Sequence, residues 1–229
     1  MDTPTRLPTP TLAAGVSRNR VLRNTYWLLA LSLLPTVAGA WLGLQFNFSL
    51  MAGSPLISFV LFLAIAFGFF WGIERTKDSG WGVALLLGFT FFMGLMLSGL
   101  LRVALGLANG GELIALAGGG TAVVFFSLAA FVSTTKRDFS TMGQFLFVAI
   151  IALLVAMVAN IFLQIPALAL TISTLAVVLF SAFLLYDLSR IVNGGETNYI
   201  TATLAVYLDL YNIFANLLSL LMALFGQRE

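Results

Sequence analysis

Cysteine and histidine are absent from this chain of 229 residues, and its only lysines are Lys77 and Lys136. Without cysteine there are no disulfides and no thiolate nucleophiles, and without histidine there is no His-ligated zinc or haem and no His-based catalytic dyad or triad. Both lysines lie in polar segments, which excludes a retinal Schiff base within an apolar span. The GxGD pattern of aspartyl intramembrane proteases is also missing. We therefore expect that the protein is not an enzyme.

Charge is scarce as well. Charged residues make up 9% of the chain and hydrophobic residues 60%, with a mean hydropathy of +1.04. A soluble domain averages about 25% charged residues. The composition predicts a polytopic membrane protein whose main partner is the lipid bilayer. The net charge of +2 comes without a basic patch interleaved with aromatic residues, so we expect no nucleic-acid partner.

Apolar runs of about 20 residues are long enough to cross a bilayer, and this chain has seven. They predict an all-α membrane protein with seven transmembrane helices, at about 24–44, 55–73, 80–101, 113–133, 141–163, 166–189 and 199–225. Residues 1–20 are rich in Pro, Ser, Thr and Asn, which predicts a disordered cytoplasmic tail before a transmembrane domain at 21–229. In the first span, Pro35 predicts a kink, and Gly39 and Gly43 predict a close approach to another helix.

Basic residues predict the orientation. In a chain with seven spans, the N-terminal tail and every second connecting segment lie on the same side of the membrane. All but two of the 11 lysines and arginines fall on that side; the exceptions are Arg102 and Arg228. Cytoplasmic segments carry the excess of basic residues. This places the N-terminus in the cytoplasm and the C-terminus in the periplasm. Six spans with a re-entrant seventh stretch is the alternative.

The seventh span carries an acid in its interior. Asp209 is followed by Asn212, Asn216 and Ser219 at steps of three, four and three residues, which sets all four on one helix face. An acidic group within a span is costly and should face the bundle interior or a water-filled cavity. The function is expected to lie along this face.

A second acid, Asp187, lies near the cytoplasmic end of the sixth span. A turn centred on residue 196 sets Asp209 about 6 Å deeper than Asp187, and a turn centred on 198 makes them level. Two carboxylates this close cannot both ionise cheaply, so the pair should share a proton and respond to pH. Its oxygens also suit calcium, although two carboxylates are too few ligands alone. Alternatively, Asp187 pairs with Arg190, and Asp209 bonds Asn212 or a tyrosine of another helix.

The hairpin YDLSRIVNGGETNYITATLAVYLDLYNIF resembles the C-terminal signature of the Bax inhibitor-1/YccA family of membrane proteins, and three further stretches resemble its bacterial YccA-like branch. These stretches are VLRNTYWLLALSL at 21–33, GGTAVVFFSLAAFVSTTKRDFS at 119–140 and MVANIFLQIPAL at 157–168. The resemblance covers residues 21–225 and identifies the chain as a suspected member of that family in a bacterial inner membrane.

This resemblance implies a fold in which helix seven is central and surrounded by the other six helices. It also implies a proton-sensitive calcium leak in some members, for which Asp187 and Asp209 would form the switch. A latch arginine on helix two would correspond to Glu74 or Arg75, and Arg190 is a further latch candidate beside Asp187. YccA-like members are associated with the membrane protease FtsH as modulators and slow substrates. The protease would engage them by the N-terminal tail. This tail does not resemble the family's own.

Overall fold

Seven long helices account for nearly all of the residues that the computed structural model describes, which are 10–46, 55–135 and 137–227. A single 3-10 turn, Ser140–Met142, precedes the fifth helix, and these ranges contain no strand. The helices are α1 Pro10–Gln45, α2 Pro55–Thr76, α3 Gly80–Leu105, α4 Gly110–Thr134, α5 Gly143–Leu163, α6 Pro166–Asn193 and α7 Tyr199–Phe225. Each includes a stretch long and apolar enough to cross a membrane. The prediction of an all-α protein with seven spans is confirmed.

The first helix begins earlier than its membrane span. Its membrane-length part is Asn19–Gln45, but helical structure starts at Pro10. Proline is well suited to a first helical turn, where its missing N–H would have no partner. Residues 10–20 are thus helical where the sequence suggested disorder, and residues 1–9 of the predicted tail lie outside the described residues.

Helix α3 also continues past its predicted end, through Arg102 to Leu105. The Arg102 Nη2 donates to the carbonyl oxygens of Gly43 and Leu44, at 2.9 and 3.3 Å. These carbonyls belong to the last turn of α1, where helical carbonyls lack partners and a cation is favourable. Arg102 therefore ties the end of α1 to α3.

The α1–α3 contact is built on glycines. A Cβ at Gly39 would lie 2.1 Å from the Phe91 oxygen, and one at Gly94 would lie 2.1 Å from the Thr36 oxygen. A Cβ at Gly43 would lie 2.4 Å from the Ser98 Oγ. The backbones of the two helices approach too closely for a side chain at Gly39 and Gly94, and the Ser98 side chain fills the space beside Gly43. The close helix approach predicted for Gly39 and Gly43 is therefore present.

Helix α7 packs against α1, α2, α3, α4 and α6, whereas α5 packs against α6. Its side chains Ile200, Val206, Tyr207 and Ile213 belong to the main buried cluster, and Leu218 belongs to a second cluster with α3 and α4. That α7 is surrounded by all six other helices stays a prediction. Its many neighbours nevertheless remove much of its surface from lipid, which is the environment that an intramembrane acid requires.

Candidate functional site

The two predicted acids meet between α6 and α7. Asp209 lies ten residues into α7 and is only 4% exposed, and Asp187, near the end of α6, is partly exposed. Their side chains lie within hydrogen-bonding reach of each other. The buried Oδ2 of Asp209 has no partner among the groups that always carry a donor hydrogen. Since two bare carboxylates can only accept, this contact is a hydrogen bond when one of the two carboxyl groups carries a proton.

The hairpin geometry explains why these two side chains meet. Asp187 precedes the last residue of α6 by six positions, and Asp209 follows the first residue of α7 by ten. The difference of four residues is about 6 Å of helix rise. Each Cα–Cβ bond tilts toward the N-terminus of its own helix. In this antiparallel pair Asp187 therefore leans into the bundle and Asp209 leans back toward the loop, which shortens the separation.

Gly194 caps the end of α6 and Asn198 caps the start of α7 in this hairpin. Gly194 ends α6 in the left-handed region with φ 79°, and its N–H and that of Gly195 donate to carbonyls in the last turn of α6. Asn198 caps α7: its Oδ1 accepts from the Ile200 and Thr201 amides at 2.9 and 3.3 Å. The short loop between them is centred near residue 196, which is the first of the two turns considered from the sequence.

Arg190 lies beside the carboxyl pair but has other partners. Its Nη2 is 3.4 Å from the Glu196 Oε2, and its guanidinium carbon lies 5.6 Å from the centre of the Tyr186 ring. Its positive charge also acts on Asp187. The ion pair of Arg190 with Asp187, which was the alternative considered for Asp187, is thus replaced by an ion pair with the loop acid Glu196, and the charge of Arg190 acts on Asp187 at longer range.

Glu196 was missed in the sequence, although it organises this loop. Its Oε1 accepts from the backbone amides of Thr197 and Asn198, each at 3.0 Å, and from the Thr201 hydroxyl at 3.1 Å. A glutamate in a polar loop is usually a solvated charge, and no sequence pattern distinguishes Glu196 from that ordinary case. Its role depends on the fold of the loop around it.

Asn198 also links the hairpin to the turn between α2 and α3. Its Nδ2 donates to the Lys77 carbonyl at 3.0 Å and to the Asp78 Oδ1 at 2.9 Å. Neither role of Asn198 was predicted from the sequence, although asparagine is a common residue directly before a helix. Its contacts across more than a hundred residues have no sequence signal at all. The α2–α3 turn and the α6–α7 loop are joined at this side chain.

The latch candidates on α2 have partners on their own segment. Glu74 pairs with Lys77, and the Arg75 guanidinium lies 5.4 Å from the centre of the Trp71 ring. The hydrogen bond to Glu74 raises the pKa of Lys77 above its usual 10.5. The structure brings Arg190 close to Asp187 but gives Glu74 and Arg75 these local contacts.

The polar face of α7 satisfies its donors within the helix. Asn212 Nδ2 donates to the Leu208 oxygen at 2.8 Å, and Asn216 Nδ2 donates to the Asn212 oxygen at 2.9 Å. The Ser219 hydroxyl donates to the Ala215 oxygen at 2.9 Å. These bonds hold the side chains along the helix, on the face that carries Asp209.

Tyr207 lies on the other side of the helix. Its hydroxyl is 2.8 Å from the Thr36 Oγ1 and 3.4 Å from the Thr90 carbonyl oxygen, and it links α7 to α1 and α3. Because two residues span about 200° of a helix, Tyr207 and Asp209 point in nearly opposite directions. The structure therefore assigns Tyr207 to the packing between α7, α1 and α3 and not to Asp209.

A resident calcium ion needs more oxygen ligands than this pair supplies. Calcium takes six to eight oxygens, and no group of three or more acidic side chains that could hold a metal occurs in the part of the chain that the structure describes. Asp187 and Asp209 together supply two carboxyl groups in contact with each other. This donor set does not fit a permanently bound ion.

Seven membrane-length helices with a pair of carboxyl groups between the last two, one of them buried, define a polytopic membrane protein with an intramembrane acidic site. Residues 18–227 match the model of the family described as inhibitor of apoptosis-promoting Bax1, and the chain belongs to this family. The resemblance seen in the sequence is therefore confirmed.

The relatives are bacterial. An uncharacterised protein of Neisseria meningitidis serogroup A is 42% identical over 217 residues, which cover 94% of this chain and 96% of the relative. Escherichia coli K12 has a relative named modulator of FtsH protease YccA, 42% identical over 206 residues, 90% of this chain and 91% of the relative. An uncharacterised membrane protein of Vibrio cholerae is 38% identical over 221 residues, 96% of this chain and 97% of the relative. The chain is a multi-pass inner-membrane protein.

Proposed function

We propose that this protein modulates an FtsH-type membrane protease, without catalytic activity of its own. The observation that carries the proposal is the 42% identity, over 90% of the chain, to the E. coli protein named modulator of FtsH protease YccA. The protein would act by occupying the protease as a slowly degraded substrate. It would thereby change the turnover of other membrane substrates.

Two structural features support this mode of action. Helix α1 continues for nine residues beyond its membrane span, to Pro10, and this extension offers the N-terminal segment as a handle on the proposed cytoplasmic side. Beyond the handle, α1 is held to α3 by backbone contacts at Gly39 and Gly94. A protease that pulls on the N-terminus must separate these helices first, which slows extraction.

Deletion of residues 2–17 tests the handle. It retains the whole span Asn19–Gln45 and three of the four N-terminal arginines, Arg18, Arg20 and Arg23, so most of the positive charge that orients α1 is kept. Pulse-chase measurement in cells is expected to show a longer half-life of the truncated protein and altered turnover of other membrane substrates of the protease. A chain with residues 2–17 replaced by a Gly/Ser segment of the same length controls for length. If the deletion changes neither the half-life of this protein nor the turnover of the other substrates, the proposal fails.

A second function, a pH-sensitive calcium leak, is favoured by the contact between Asp187 and Asp209. Two unit charges about 4 Å apart repel by about 4 kcal/mol at an effective dielectric constant of 20. Ionisation of both groups would therefore drive α6 and α7 apart, whereas one shared proton holds them together. Arg190 and Glu196 also act on Asp187, with charges of opposite sign, and they form an ion pair with each other. Calcium is the cargo in this proposal.

Calcium flux into liposomes at about pH 6 and pH 8 tests this proposal. Asp187→Asn and Asp209→Asn keep the shape of each side chain but cannot ionise, and each is expected to flatten the dependence of flux on pH. Asp138→Asn is the matched control, because Asp138 is exposed in the α4–α5 turn and its Oδ1 accepts from the Ser140 amide, a role that asparagine retains. Wild-type behaviour of both buried variants would exclude the switch. The protease proposal would be unaffected by that result.

A further inference from the structure

A cavity of about 600 Å³ lies between α1, α4 and α7. Its walls include Tyr26, Phe125, Tyr211 and Phe214, and Leu97 of α3 also lines it. The volume is within the range of about 300–1,000 Å³ that is typical of ligand sites. Neither the carboxyl pair nor the polar face of α7 contributes to this cavity.

The cavity is almost wholly apolar. Five residues on its wall carry hydroxyl groups, and three of them have partners inside the protein: Thr36 Oγ1 and the Tyr207 hydroxyl are 2.8 Å apart, and Thr121 Oγ1 donates to the Ala117 oxygen at 2.8 Å. The other two are Tyr26 and Tyr211. Because nearly all of the cavity surface is apolar, a polar occupant would lose most of its hydrogen bonds on entry. The cavity therefore suits a hydrocarbon better than an ion.

Its mouth faces the membrane. The wall residues Ala30 and Leu33 of α1 and Ala122 and Phe126 of α4 are all exposed, with Phe126 at 67% and Leu33 at 48%. All four lie within membrane-length spans. Material can enter from the hydrocarbon layer without crossing the bundle.

The dimensions distinguish a lipid chain from a partner helix. The α1 wall runs from Tyr26 to Thr36, ten residues or about 15 Å, which is half of the roughly 30 Å hydrocarbon core. A partner helix would need a groove along the whole span, about twice this length. An extended acyl chain of one leaflet fits this length.

The walls at 118–129 of α4 and 207–214 of α7 lie near the middle of their helices, and the α1 wall begins at Tyr26, inside the span that starts at Asn19. Arg23 is exposed and precedes Tyr26 by three residues, which places it on the same face of α1 and about one turn nearer the membrane surface at the N-terminal end of α1. A basic side chain in this position faces the phosphate level of the leaflet. We infer that the cavity holds one acyl chain of a phospholipid from this leaflet, with the headgroup phosphate at Arg23.

Photolabelling in liposomes tests the inference. The probe is phosphatidylethanolamine with a diazirine at the middle of one acyl chain, and labelled peptides of the full chain are mapped by mass spectrometry. The label is expected on the walls at 26–36 and 118–129 at least fivefold above the lipid-exposed surface of α5. Even labelling of all exposed helix surfaces would overturn the inference.

Cavity-filling variants supply the second arm. Ala122→Phe places a ring in the mouth and is expected to lower wall labelling at least fivefold while labelling of α5 is unchanged. Ala30→Phe fills the cavity from the α1 side and is used in place of Ala122→Phe if that variant does not fold. Ala152→Phe, at an exposed position of α5 outside the cavity, is the control and should leave the pattern unchanged. Persistent wall labelling in a folded, filled variant, or a second protein cross-linked at the walls, contradicts the proposal.

The headgroup is tested separately. Arg23→Gln removes the charge at the phosphate level, and is expected to lower wall labelling about fivefold, the effect of one basic side chain near a lipid surface. Unchanged labelling in this variant together with loss in Ala122→Phe would overturn the assignment of the phosphate to Arg23.

Discussion

Gly94→Ala is the most direct test of the α1–α3 contact. The added Cβ would lie 2.1 Å from the Thr36 oxygen and 2.8 Å from its carbonyl carbon, both backbone atoms of α1. Ordinary contact begins near 3.4 Å, so the two helices must move about 1.3 Å apart. Overpacking of this kind costs about 1–3 kcal/mol, and the rigid backbone places this case at the upper end. Neighbouring contacts along the seam would be lost as well.

Gly99→Ala on the same helix is the matched control, because a Cβ there meets nothing within 4 Å. Both substitutions gain about 1 kcal/mol of helix propensity, which cancels when the two are compared. Thermal unfolding in detergent should show Gly94→Ala melting about 5–10 °C below Gly99→Ala, at about 2–4 °C per kcal/mol for a chain of this size. Equal melting temperatures would refute the close approach of α1 and α3. Gly39→Ala, against the Phe91 oxygen, should behave like Gly94→Ala, and the double variant should cost less than the sum.

Three other changes test contacts that join distant segments. Asn198→Ala removes the cap of α7 and should lower stability by about 1–2 kcal/mol in thermal unfolding, and retention of the wild-type melting temperature would contradict its role. Tyr207→Phe loses the bond to Thr36 and should cost about 0.5–1.5 kcal/mol in the same assay, and a stabilising effect would count against that bond. Glu74→Gln should return the raised pKa of Lys77 toward 10.5 in an NMR titration. The Glu74–Lys77 pair stabilises the protein below pH 10.5, and its contribution is lost only as the pH rises through the raised pKa of Lys77. The stability difference between Glu74→Gln and the wild type should therefore be constant between about pH 6 and 9. A difference that changes with pH in this range would point to other groups.

The sequence predicted the helices well because hydropathy and length determine which segments cross the bilayer. It also predicted the meeting of Asp187 and Asp209, since a short hairpin restricts the register of two antiparallel helices. It did not predict the bond between Thr36 and Tyr207, which are 171 residues apart. Within a membrane, lipid and protein interior are equally apolar, so hydropathy carries little information about how each helix is rotated.

The loop contacts were missed for a different reason. Glu196 and Asn198 are polar residues in a polar loop, and their partners lie in the helix ends and in the α2–α3 turn. Which loop charges pair is decided by the three-dimensional arrangement of the loops. Arg102 is a similar case: read as part of an outer loop, it lies within α3 and binds the end of α1.

The two faces of α7 divide the possible functions of the bundle. Asp209, Asn212 and Asn216 lie on the face toward Asp187, whereas Tyr207 and Tyr211 lie nearly opposite, with Tyr211 on the wall of the apolar cavity. An ion path through the cavity would have very little polar lining, so the proposed calcium leak is placed along the α6–α7 face. Occupation of the cavity by lipid would press on the opposite side of the same helix. If the photolabelling and flux experiments both succeed, α7 is the element shared by lipid binding and the carboxyl pair.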